Sequence, residues 1–164
     1  MSITKAVALG TRNASDADAS DADTLELPSR LLGSVAVRRA ELFEAPAGIY
    51  AFEAYRTWAL VPAGRDGLWW LQSAEREDLV FLLADPFAFF PGYEVDVSPA
   101  ELAPLGATET TPLMVLVIVT LPARAGDAPS ANLRAPLVLN PERRVVRQLV
   151  LSDESLSLTA PLSL

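Results

Sequence analysis

Tyr55-Arg56-Thr57-Trp58-Ala59-Leu60-Val61, then Pro62-Ala63-Gly64-Arg65-Asp66-Gly67, then Leu68-Trp69-Trp70-Leu71-Gln72 reads as strand, turn, strand. The outer runs are rich in aromatic and aliphatic residues that suit a pleated, buried surface. The middle run holds the turn chemistry. Proline presets φ, Asp bonds to nearby backbone, and two glycines supply conformations that other residues resist. The same pattern recurs on both sides. Downstream, Leu79 to Ala84 is a short apolar strand, and Tyr93-Glu94-Val95-Asp96-Val97 alternates apolar and acidic. Leu113 to Leu121 is apolar almost throughout, which predicts a central strand covered on both faces. Leu133 to Leu139 and Val145 to Leu151 complete the run. Upstream, Leu25 to Leu32, Gly33 and Ser34 to Arg38 form a hairpin pattern in which Pro28 argues for an edge or a bulge.

One helix start is written out in full. Ser98 is the cap candidate, Pro99 takes the first helical position and Glu101 falls three residues after the cap, the spacing of a capping box. Pro104 and Gly106 keep that helix short. A second helical turn is expected at Ala74 to Asp78. Many short strands with one or two short helices define a mainly β chain, a small antiparallel β-barrel-like domain. Residues 11–24, Thr-Arg-Asn-Ala-Ser-Asp-Ala-Asp-Ala-Ser-Asp-Ala-Asp-Thr, hold no large apolar residue. Such a tract cannot bury enough surface to offset the entropy of ordering. Residues 1–24 are therefore expected as a flexible acidic low-complexity tail, and 25–164 as the β domain.

The composition excludes several kinds of chemistry. Among 164 residues there is no His and no Cys, and Lys5 is the only lysine. Ser-His-Asp and Cys-His nucleophile pairs, His/Cys zinc sites and disulfides are thereby removed. No cofactor and no metal site is expected. Asp16, Asp18, Asp21 and Asp23 are spaced like calcium ligands, but they lack the Gly turn and closing Glu of such a loop. The formal net charge is −8. From Glu41 to Asp127 there are 13 acids against Arg56, Arg65, Arg76 and Arg124. A basic protein surface is the natural partner for that region. Direct nucleic-acid binding is not expected, because phosphate neutralisation needs clustered cations and Arg143, Arg144 and Arg147 are a small footprint. The apolar run Leu113 to Val119 is far shorter than a bilayer requires. No secretory signal is visible, so the expected compartment is the cytoplasm.

The densest motif is Leu82-Leu83-Ala84-Asp85-Pro86-Phe87-Ala88-Phe89-Phe90-Pro91-Gly92-Tyr93-Glu94. Its four aromatics on a stiff backbone either plug one barrel end or present a protein-contact patch at low entropic cost. Trp69 and Trp70 must face opposite ways on a strand, so both are core only if both faces of the sheet are covered. An exposed Trp would instead offer a sugar platform, and a carbohydrate-binding module is one alternative reading. Asp85, Glu94 and Asp96 are near enough in sequence to consider a carboxylate-based β hydrolase, the other alternative.

Several stretches, taken in order, resemble the FliW family of bacterial flagellar assembly factors. They are Gly48-Ile49 with Phe52-Glu53, Trp70-Leu71-Gln72-Ser73, and the block from Leu79 to Glu94 with Ala84-Asp85-Pro86-Phe87 and Phe90-Pro91-Gly92-Tyr93-Glu94. Val117-Ile118-Val119-Thr120 and Asn132-Leu133-Arg134-Ala135-Pro136-Leu137-Val138-Leu139-Asn140 follow. The resemblance spans about residues 25 to 162 and implies a mainly β, barrel-like cytoplasmic protein without enzymatic activity. It also implies two protein partners. One is newly made flagellin. The other is the translational regulator CsrA, which FliW proteins stop from repressing flagellin mRNA until flagellin competes for them. On this basis Phe87, Phe90 and Tyr93 are expected to supply apolar contacts, and Asp85, Glu94 and Asp96 charge. The family usually reads Gly-Ile-Pro-Gly-Phe-Glu where this chain has Gly48-Ile49-Tyr50-Ala51-Phe52-Glu53. Because Ala tolerates positive φ poorly, a different turn is expected there.

Overall fold

The computed structural model describes residues 1–5 and 23–164. Its strands are β1 (Ser2–Ile3), β2 (Thr24–Ser29), β3 (Gly33–Arg38), β4 (Phe43–Glu44), β5 (Thr57–Pro62), β6 (Leu68–Ser73) and β7 (Val80–Ala84). They continue as β8 (Val95–Asp96), β9 (Met114–Thr120), β10 (Ser130–Ala131), β11 (Leu137–Asn140), β12 (Val145–Gln148) and β13 (Ala160–Pro161). Two short helices, α1 (Pro86–Phe89) and α2 (Pro99–Leu102), interrupt the series.

A closed barrel organises the domain. β4, β5, β6 and β7 pair in succession, β7 pairs with β9, β9 with β11, and β11 with β12. The ring closes through one parallel bridge between β12 and β4, Val145 opposite Glu44. The period-two alternation of each strand sorts its side chains to two sides. Phe43, Trp58, Leu71, Leu83, Leu116, Leu137, Leu139 and Val146 point inward and fill the barrel. The outward residues are buried as well. Leu82, Ala84, Val117, Val119 and Val138 lie under a second core that includes Val95, Leu102 and Leu105. Ala59 and Val61 lie under the β2–β3 hairpin with Leu27, Val35 and Val37. This double cover explains the near-continuous apolar reading of β9. It also accounts for the tryptophans: Trp69 packs on the inner core and Trp70 on the outer one.

The hairpin, the central strand and the capped helix are where the sequence places them. Ser98 N–H and Oγ both donate to Glu101 Oε2, at 2.8 and 2.9 Å, and Gly106 ends the following 3-10 turn with φ 61°. Pro28 is exposed on a two-stranded ribbon, where its missing N–H disturbs no inner ladder.

Three expectations are corrected. Ala74 to Asp78 is a turn and not a helix. Side chains at the end of β6 take the backbone groups a helix would use. Ser73 Oγ accepts from Glu75 N–H and Arg76 N–H, and Gln72 Nε2 donates to the carbonyls of Ser73, Arg76 and Leu79. The second helix is instead α1, inside the aromatic block. Only Leu137 onward of the run from Leu133 is strand, because Asn132 Oδ1 accepts from Arg134 N–H and Ala135 N–H and holds a turn. Ala51 holds a left-handed backbone, φ 68°, in spite of its Cβ. At the other end of the molecule, Ser2 and Ile3 pair with Asp96 and Val95. The head of the segment expected as tail is thus part of the fold, and Thr24 already pairs with Arg38. The rest of that tract, residues 6–22, lies outside the described residues.

Candidate protein-contact surfaces

The aromatic block is built around a cap. Asp85 Oδ1 accepts from Phe87 N–H at 2.9 Å, with Pro86 at the first helical position, so four residues suffice for a helix. Burial pushes the Asp85 carboxyl up, against the two backbone amides that favour its charge. Asp85 N–H donates to Gly67 O at 2.8 Å, which ties α1 to the β5–β6 turn. At Gly67 a Cβ would sit 3.1 Å from the Phe89 ring.

The six residues expected to contact partners do not share one face. Tyr93 is 6% exposed, its ring lies 5.7 Å from that of Phe87, and its hydroxyl donates to Leu133 O at 2.8 Å. Burial raises its pKa well above the ordinary tyrosine range. Tyr93 is therefore a core residue, and the contact role expected for it is corrected. Its hydroxyl straps together the two sequence blocks on which the resemblance mainly rests. Phe87 and Phe90 are half-buried against the outer core, and Asp85 is half-buried as the cap. Glu94 and Asp96 point outward on the acidic face read from the alternation. They are the exposed members of the set.

Sequence reasoning missed a second surface. Beyond Glu44 the chain turns away from β12 through Gly48, φ 74°, and Ala51. That leaves a groove of about 380 Å³ between this loop and the end of β12, lined by Tyr50, Glu53, Glu101, Arg147 and Val150. A neighbouring cavity of about 260 Å³ shares Ala47 and Arg147. Tyr50 is 75% exposed and Val150 67%. Gln148 is the brace across the groove. Its Oε1 accepts from Tyr50 N–H at 2.8 Å and its Nε2 donates to Ala135 O at 3.1 Å. The signal in the sequence was the Tyr50-Ala51 pair, where this chain departs from the family pattern.

Among the described residues no group of three or more acids, His or Cys is placed to hold a metal, and no helix is long and apolar enough to cross a membrane. Neither tryptophan of Trp69-Trp70 stands clear of the cores as a sugar platform.

The molecule is thus a seven-stranded barrel wrapped on its outside by a hairpin and two small helices. Residues 26–162 match the family model described as FliW protein, and the chain belongs to that family. It is 34% identical over 129 residues to a flagellar assembly factor FliW of Treponema denticola, covering 79% of this chain and 87% of that one. A flagellar assembly factor FliW of Symbiobacterium thermophilum is 37% identical over 123 residues, covering 74% and 88%. A crystal structure of the flagellar assembly factor FliW superposes with a TM-score of 0.75 at 26% identity, covering 83% of this chain and 95% of the other.

Proposed function

We propose that this chain is a non-catalytic partner switch of the cytoplasm, one that binds flagellin and antagonises the translational regulator CsrA. The observation that carries the reading is family membership over residues 26–162. Two features support it. The folded region is acidic, and Glu94 and Asp96 project from it unburied, as suits a basic RNA-binding partner. Two titratable groups of the aromatic block are occupied structurally: Asp85 caps α1 and the Tyr93 hydroxyl is bonded inside the core.

The contact set is revised accordingly. Glu94 and Asp96 supply charge, the exposed margins of Phe87 and Phe90 supply apolar contact, and Asp85 and Tyr93 hold the block in shape. The test mixes the protein with the flagellin and the CsrA of its own source, separately and together, on analytical size exclusion. Two complexes, with flagellin displacing CsrA, are expected. Failure to bind either protein would overturn the reading. Unchanged CsrA affinity after joint reversal of Glu94→Lys and Asp96→Lys would remove these acids from the interface.

A further inference from the structure

Barrel closure at β12 is incomplete in a way that leaves usable hydrogen-bonding groups. Leu149 N–H donates to Pro136 O and Leu151 N–H to Arg134 O, so odd-numbered residues of this segment face β11. The backbone groups of Gln148 and Val150 therefore face the opposite edge. On that edge β4 reaches only Val145 and ends at Glu44. No strand of the described residues lies beside 146–150, and the groove runs there instead.

The side chains around this edge point to an occupant. Tyr50 and Val150 stand out as apolar walls. Of the three charged residues in the groove, the two acids are engaged. Glu101 accepts from Ser98, and Glu53 Oε1 accepts from Ala51 N–H at 3.1 Å. Arg147 lines both cavities and has no ion pair or hydrogen bond among the described residues. An unpaired guanidinium in a half-buried groove calls for a carboxylate. Backbone strain at Ala51, immediately after Tyr50, is the kind that persists at working surfaces.

We propose that the free edge of β12 captures an extended, apolar segment of flagellin by strand addition, with Tyr50 and Val150 clasping its side chains and Arg147 meeting a carboxylate on it. This rests on the flagellin-binding reading above. The one charged side chain of the groove without a hydrogen-bond partner is the Arg147 cation, and the basic partner is assigned above to the acidic face at Glu94 and Asp96, which leaves flagellin for this edge.

The experiment is hydrogen exchange on the full chain with and without its flagellin, combined with titrations of Tyr50→Ala, Arg147→Glu and Val150→Pro. New protection of the Gln148 and Val150 amides in the complex is expected, with each variant losing about tenfold or more in affinity. Tyr50 and Val150 are largely exposed, so a thermal melt close to wild type is expected for both. If a proline variant fails to fold, the exchange data and the other two variants still decide. Flagellin bound by the wild type without new protection at Gln148 and Val150, and with Tyr50→Ala and Arg147→Glu unaffected, would sink the edge proposal and leave the flagellin reading standing. No flagellin binding by the wild type would overturn both.

Discussion

Ala51 holds φ 68°, a conformation that costs an L-residue with a Cβ about 1–2 kcal/mol relative to Gly. Ala51→Gly should therefore stabilise the protein by about 1 kcal/mol, seen as a higher urea midpoint with an unchanged slope. Gly48, three residues earlier, gives the opposite result. A Cβ there would lie 2.4 Å from Glu53 Cα, and its φ is 74°. Gly48→Ala should cost roughly 3 kcal/mol in the same assay, because the clash is with backbone. The sequence exposed the problem at Ala51 but not its solution, since propensity says what a residue dislikes and not what its neighbours enforce. Asp85 carries a pH signature. Its folded carboxyl binds a proton more tightly than the unfolded one, whose ordinary value is 3.8. The folded state is therefore favoured most below that value, and this contribution is lost as pH rises through the raised pKa. Asp85→Asn should remove that component, so the wild-type midpoint minus the variant midpoint should fall as pH rises from below 3.8 through the raised folded pKa.

At the scale of elements, Gln72 decides the shape of the β6–β7 connection. Its amide nitrogen serves three carbonyls from a fully buried position. Gln72→Ala would remove a buried donor that these carbonyls share; Arg76 O and Leu79 O keep Leu79 N–H and Ser73 N–H as partners, so the cost is roughly 1–3 kcal/mol in all. The expected readout is a large loss of stability together with faster tryptic cleavage at Arg76. Arg30 N–H donates to Glu77 O at 2.9 Å, so the same change should loosen the β2–β3 hairpin. Elements whose signals are local could be read from the chain: the β5–β6 turn, the hairpin with Pro28 and the capping box at Ser98. β4 could not. It has two residues, and only its place between β5 and β12 makes it a strand. The helix at Pro86 and the turn at Ala74 were exchanged because each is decided by one side chain choosing its backbone partners, Asp85 in the first case and Gln72 in the second.

For the whole molecule, the acidic bias makes partner association sensitive to ionic strength. Exposed charges further apart than about 10 Å are screened at 0.1 M salt. The proposed complex with CsrA should thus form more slowly as salt rises, with the off-rate changing less, in a stopped-flow or surface titration. The flagellin complex, if held by a sheet edge and apolar walls, should be the less salt-sensitive of the two. The acidic face was legible because alternation in Tyr93 to Val97 carries it directly. The contact patch was not, because the aromatic residues that looked available in sequence are partly consumed in covering the outside of the barrel.

The single rung between Val145 and Glu44 also bears on how the molecule moves. A ring whose other joints carry two or more rungs and whose last joint carries one behaves as a split hoop, able to spring at the gap while the rest stays round. Amides beside Val145 should exchange through small openings well before those of β9, which sits between three neighbours. A ligand fastened across that gap would stiffen the whole circumference, and its arrival would be felt on the far side of the barrel without any residue there being touched.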